Sequence, residues 1–152
     1  MPTCTFFGHR SVTQKTEPAL RSTLIRLIEE NGVELFYVGN NGEFDATVRR
    51  VLLDLSKKYP IRYYVVLSYL PKEDVSPDPD SFFDTIVPDG IEKAPRRFAI
   101  DYRNRWMISR SDYVVTCVRN DVASCAAKYK QLAVRRGKKN IEICGLTGAH
   151  PF

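Results

Sequence analysis

Between Tyr37 and Leu55 the chain reads YVGNNGEFDATVRRVLLDL: an apolar run breaks into Gly39-Asn40-Asn41-Gly42 and restarts at once as a helical pattern. Two glycines around an amide-rich tip suit a backbone that must approach something closely. Free N–H groups at a helix start bind anions, yet Glu43 and Asp45 stand in that first turn and already complement the helix dipole. A phosphate-binding loop would avoid them, and neither G-x-x-x-x-G-K-[ST] nor G-x-G-x-x-G is present. Backbone N–H groups with one carboxylate suit hydroxyls, such as those of a ribose, while phosphate goes elsewhere. The plainer alternative leaves Asp45 as a helix-start residue only.

Other polar residues gather at the ends of strand-like runs. Gly8-His9-Arg10 follows the first, and Arg10 has the forked donors that meet a phosphate or carboxylate. Ser68-Tyr69 follows the third; Arg119-Asn120-Asp121, running on to Ser124, follows the fourth. In AIDYRNRWMISRSDYVVTCV, Arg103, Asn104 and Met107 share a helix face, which would turn an Arg-Asn pair toward the strand ends. With His9 and His150 as the only histidines, a His-rich metal site is excluded, and the cysteine spacing does not fit zinc. No metal and no resident cofactor are expected; a nucleotide-type ligand is.

The elements that must position these residues alternate regularly. Strand patterns cover 3–7, 35–38, 61–67, 113–118 and 141–144, the third a continuous apolar-aromatic run typical of a strand buried on both faces. Helical spacing links Leu20, Leu24, Leu27 and Ile28 within 17–30, and Phe44, Val48, Val51, Leu52 and Leu55 as far as Lys58. A third helix fits 96–110, with Ile100, Asn104, Met107 and Ile108 on one stripe and Phe98, Tyr102 and Trp106 on another. A fourth runs from Ala123 to the stop at Gly137. Strands joined by helix-length connections are βαβ units, so the expected fold is α/β: a Rossmann-like three-layer sandwich, mainly parallel, of about five strands. The exception is 69–94, a long loop holding four prolines (Pro71, Pro77, Pro79, Pro88). Its Phe82, Phe83, Ile86 and Val87 predict a part that packs down as a short strand or a lid. In such sheets ligands bind beyond the carboxyl ends of the strands, where the polar residues gather.

Composition bounds the rest. At 152 residues and 43% apolar content, residues 1–152 form a single domain with a real core. No secretory signal opens the chain and no apolar window is long enough to span a bilayer. The four cysteines (Cys4, Cys117, Cys125, Cys144) have no C-x-x-C spacing and three fall in strand patterns, where Cys acts as a small buried hydrophobe. A cytoplasmic protein with reduced thiols is expected. The net charge of +5 is uneven: 96–139 carries +9 and the remainder −4. That asymmetry points to an anionic partner, either a nucleotide-type ligand or nucleic acid. In the plainer reading, the basic residues from Lys128 to Lys139 are a solvated helix face whose cations complement the helix dipole.

FFGHR, YVGNNGEFDATVRRVL, RRFAIDYRNRWMISRSDYVVTCV and AAKYKQLAVRRGKKNIEIC together resemble the SLOG superfamily of Rossmann-like proteins, in particular its small stand-alone bacterial and phage members of the YspA/YpsA and DUF1273 type. The resemblance covers nearly the whole chain, the Pro-rich loop included. That superfamily also holds the DNA-processing protein DprA, the Lonely-Guy phosphoribohydrolases, and sensor domains of anti-phage systems. The resemblance implies a nucleotide or nucleotide-derivative pocket at the strand ends. Arg103, Met107 and Asp112 keep the Lonely-Guy spacing of Arg, Met four on and Asp five further. The P-G-G-x-G-T-x-x-E loop that follows in those enzymes is replaced by residues 118–126, with neither glycine nor glutamate.

Three functions follow as expectations. The first is binding or sensing of a nucleotide-derived small molecule by Gly8, His9, Arg10, Gly39, Asn40, Asn41, Gly42, Asp45, Ser68, Arg103, Asn104, Arg119, Asn120 and Ser124. The second is N-glycosidic hydrolysis or transfer, with Asp45 or Glu43 as the acidic group and Arg103 on phosphate. The third is nucleic-acid binding through 96–139. A homodimer or higher homo-oligomer fits such folds.

Overall fold

The computed structural model describes residues 2–9, 15–70, 84–118 and 125–144. In chain order they form β1 (Thr3–Gly8), α1 (Thr16–Asn31), β2 (Leu35–Val38), α2 (Gly42–Ser56), β3 (Arg62–Val66), β4 (Asp84–Ile86), α3 (Ala99–Ser109), β5 (Tyr113–Cys117), α4 (Cys125–Arg135) and β6 (Lys139–Glu142). The six strands make one sheet in the order β4-β3-β2-β1-β5-β6, and every pairing is parallel. This is a three-layer Rossmann-like α/β sandwich. The chain steps outward from β1 through β2 and β3 to β4, then returns to lay β5 on the other side of β1. The strand order therefore reverses between β1 and β5, which opens the binding crevice of such sheets at their carboxyl ends.

Alternate residues of the central strands feed two cores. On one face Cys4, Phe6, Phe36 and Val38 meet Leu20, Leu24 and Leu27 of α1 and Phe44, Val48, Val51, Leu52 and Leu55 of α2. On the other, Phe7 and Val114 meet Met107 and Ile108 of α3 and Tyr129, Leu132 and Ala133 of α4. Each fully buried Leu or Phe stabilises by about 1.5–3 kcal/mol, so these apolar stripes hold the helices to the sheet.

The differences from the sequence expectations have local causes. Six strands stand where about five were expected, because the part of 69–94 expected to pack down does so as a paired strand; Phe82 and Phe83 lie outside the described residues. Residues 84–86 pair with Tyr64–Val66 as β4, and 3₁₀ turns follow at Ile91–Lys93 and Arg96–Phe98. The helix expected over 96–110 begins as that second 3₁₀ turn, in which the Phe98 N–H reaches the Pro95 carbonyl, and turns α-helical only at Ala99. The last strand lies at 139–142 rather than 141–144, since its pairing starts at Lys139 opposite Tyr113.

The cysteines bring a second correction: Cys117 and Cys144 form a disulfide, their Cα atoms 4.6 Å apart. β5 and β6 are adjacent parallel strands that end at the same level, so residues 27 apart in sequence meet there. The expectation of four reduced thiols fails at this pair. Among the described residues Cys4 is a buried free thiol, pushed well up by burial, and Cys125 is exposed. No helix among the described residues is long and apolar enough to cross a membrane.

Candidate functional site

The carboxyl end of β2 carries the densest buried polar cluster among the described residues. Val38 is fully buried, Gly39 ends the strand, and Asn40 and Asn41 lead into α2. Beneath this turn lie Asp45 of α2, 8% exposed, and Arg103 and Asn104 of α3, 3% and 6% exposed. α3 buries its other inner residues, Met107 and Ile108, against the sheet, and that packing aims Arg103 at the turn.

Arg103 organises the cluster. Its Nη1 donates to Asn40 Oδ1 at 2.9 Å and Asn41 Oδ1 at 2.8 Å, and its Nε donates to Asn104 Oδ1 at 3.1 Å. A guanidinium has no acceptor, so both asparagines must turn their oxygens toward it. With the oxygens so engaged, the donors these two side chains can offer are their amide N–H groups. On the opposite side the Asn41 N–H donates to Asp45 Oδ2 at 3.0 Å, and Arg49 Nη1 donates to the Gly39 carbonyl at 3.2 Å. The turn is held at four atoms by three side chains.

Burial is costly for both charges of this pair. It pushes the Asp45 carboxyl up, against the Asn41 N–H and the Arg103 and Arg49 charges, and it pulls the Arg103 guanidinium down, against Asp45. Asp45 thus holds its proton to higher pH than an exposed aspartate.

Two glycines expected to face a ligand also have internal reasons. A Cβ on Gly39 would lie 2.7 Å from Asp45 Oδ2 and 3.2 Å from Arg103 Cζ, so glycine lets the buried pair close beneath the turn. A Cβ on Gly8 would strike the Phe44 ring, which is 1% exposed. Gly39→Ala is expected to cost about 1–3 kcal/mol through overpacking; urea unfolding measures it, and an unchanged midpoint would mean the pair has slack.

The other expected residues divide. His9 and Ser68, both half-buried, lie just past β1 and β3, along the same sheet edge as Asn40. The His9 N–H donates to the Cys117 carbonyl at 3.3 Å, linking the ends of β1 and β5 at the crevice. Gly42 and Glu43 open α2 on the exposed rim. Arg10, Arg119, Asn120 and Ser124 lie outside the described residues. Asp112 sits at the opposite end of the sheet, where its carboxylate accepts from the Thr3 N–H at 3.0 Å.

Tyr129 is the residue that sequence reasoning missed. Its hydroxyl bonds Asn104 and donates to Asp101 Oδ1 at 2.8 Å; burial and Asp101 push it up to about 12. Its place on α4 is set by stacking on Phe7 at 5.2 Å. The available signal was a tyrosine three residues beyond Ala126 and four before Ala133, on the face the alanines bury. Hydrogen bonds therefore run from Asn40 and Asn41 through Arg103, Asn104 and Tyr129 to Asp101. No group of three or more His, Cys, Asp or Glu among the described residues is placed to hold a metal ion.

No family model matches the chain, and no curated protein sequence matches it. Among solved structures it is similar to the molybdenum cofactor carrier protein MCP from Chlamydomonas reinhardtii. The two share 16% identity with a TM-score of 0.59, over 97% of this chain and 79% of that one. At that identity the likeness is one of fold.

Proposed function

We propose that this chain binds or senses a nucleotide-derived small molecule at the carboxyl ends of its strands, in the manner of the SLOG proteins it resembles. The observation that carries the reading is the Arg103 clamp. It engages both asparagine oxygens, so what these side chains can offer a ligand is their amide donors. Paired amide donors suit vicinal hydroxyls such as those of a ribose. Arg103 acts here as a positioning residue, since Nε and Nη1 are already engaged. Phosphate would fall to Arg10 and the loop at 119–124. The fold neighbour is named a carrier of a cofactor, which is consistent with a ligand-holding use of this sandwich.

A thermal-shift panel of ADP-ribose, NAD and nucleoside monophosphates tests the reading. At least one compound is expected to raise Tm, and Asn41→Ala to remove the shift. A panel without any shift would sink the proposal.

The raised Asp45 carboxyl favours a second reading, an N-glycosidic hydrolase or transferase. An acid that holds its proton to higher pH than an ordinary aspartate can deliver it to a departing base. Base release from nucleoside monophosphates, followed by chromatography and lost in Asp45→Asn, would establish it; binding without release favours the sensor.

Asp45→Asn also carries a stability prediction. The folded chain binds this proton more tightly than the unfolded chain does, so its contribution is complete below the ordinary value of 3.8 and is lost as pH rises through the raised folded value. Asparagine keeps an acceptor for the Asn41 N–H and removes the buried charge. The variant is expected to melt no lower than wild type near neutral pH and to lose this falling component. A large drop in its neutral-pH Tm would mean that the Asp45 charge stabilises the fold.

A further inference from the structure

The face of α3 turned away from the sheet carries its own chemistry. Phe98, just before the helix, and Tyr102 are 50% and 37% exposed, and half-buried Trp106 continues the stripe. Four-residue steps set these rings about 6 Å apart along the helix axis. Two of them are held in place: the Tyr102 hydroxyl donates to the Asp89 carbonyl, and Trp106 meets Tyr37 edge-on at 5.2 Å. With Lys93 and Arg136, the latter beyond α4, they line a groove of about 740 Å³.

Cations are set among the rings. Lys93, Arg105 and Arg136 line the groove. Arg97 lies 4.8 Å over the Phe98 ring and Arg110 lies 5.0 Å over Trp106. The one acid in the lining, Asp101, is engaged by Arg105 at 2.9 Å, Lys128 at 3.3 Å and the Tyr129 hydroxyl at 2.8 Å. The surface left is positive and aromatic.

We infer that this groove binds single-stranded nucleic acid. Bases have flat faces that stack on exposed rings whatever their sequence, and the phosphates of an extended strand would run along the flanking cations. A second copy of this chain is the poorer occupant, because a two-fold contact would press the positive face against itself. An acidic peptide would satisfy the cations but brings no flat groups to stack on the exposed rings. The groove contains neither Asp45, Arg103 nor the Asn40-Asn41 turn, so this inference and the nucleotide reading stand or fall separately.

The test is fluorescence anisotropy of a labelled oligothymidylate of about twelve nucleotides, a length within the usual site sizes for single strands. The chain's single tryptophan, Trp106, gives a second signal. The oligonucleotide is expected to bind at low salt, quench Trp106, and weaken with a log–log salt slope of about −2 if three phosphates are neutralised. The double substitution Phe98→Ala with Arg136→Ala, both exposed, is expected to weaken binding at least tenfold. Arg26→Ala, an exposed change on α1 across the sheet, should leave binding alone. Four outcomes would overturn the inference: no binding at low salt, binding indifferent to the groove pair, polyglutamate competing as well as the oligonucleotide, or a dimer in sedimentation that the groove pair breaks.

Discussion

Arg103→Ala is expected to lower unfolding free energy by about 3–5 kcal/mol, through the cavity left by a buried side chain and the loss of its hydrogen bonds to three asparagines. The substitution leaves Asn40, Asn41 and Asn104 oxygens without their donor and Asp45 beside an empty space. At this chain length each kcal/mol moves Tm by about 2–4 °C, so the fall is roughly 10 °C. Arg103→Lys separates charge from geometry. An ammonium keeps the countercharge for Asp45 but cannot reproduce a planar fork that reaches both loop asparagines and Asn104. Lysine is expected to recover part of the stability and little of the ligand response. Urea unfolding and Tm measure both variants. A loss within about 0.5 kcal/mol for alanine, the range of ordinary surface changes, would mean that Arg103 does not hold the turn.

Breaking the Cys117–Cys144 disulfide is the second large effect. The bond spans 27 residues, including all of α4 and β6. Closing a loop of that size restricts the unfolded chain enough to stabilise the fold by about 3–4 kcal/mol. Reductant is therefore expected to lower the wild-type Tm by about 6–16 °C, from 2–4 °C per kcal/mol. Cys144→Ser, at a half-buried position, should melt at the lower temperature with or without reductant. Thiol labelling in denaturant without reductant should find two fewer free thiols in wild type than its four cysteines would give. Four labelled thiols, together with a Tm indifferent to reductant, would contradict the bond.

Most of the fold was legible because apolar periodicity answers directly to burial. The Leu20, Leu24, Leu27 stripe and the run from Phe44 to Leu55 place α1 and α2 to within about two residues. The two stripes read on α3 are the buried and exposed faces of that helix, except that Ile100 is 42% exposed. β4 was harder, since three residues make too short a pattern and their partner Tyr64–Val66 lies across the Pro-rich segment. The disulfide was unreadable for the same reason: it depends on β5 and β6 being neighbours that end together.

The site was legible in membership more than in role. Gly39, Asn40, Asn41, Asp45, Arg103 and Asn104 do converge. Residue type suggested that Arg103 would grip a phosphate and that Gly8 would admit a ligand. Across the sheet, the first holds two asparagines and the second makes room for Phe44. Those roles depend on what lies across the sheet, which no local spacing encodes. Tyr129 was overlooked because its partners, Asp101 and Asn104, sit on a different helix.

Isothermal titration of the intact chain with ADP-ribose, NAD and nucleoside monophosphates, run side by side with Asn41→Ala, tests the central claim most directly. The account predicts saturable heat from at least one of these compounds in wild type and a loss of at least tenfold in affinity in the variant, whose fold should persist because the side chain is exposed. No heat from any compound, or binding that Asn41→Ala leaves untouched, would contradict a nucleotide site built on the Arg103-clamped turn.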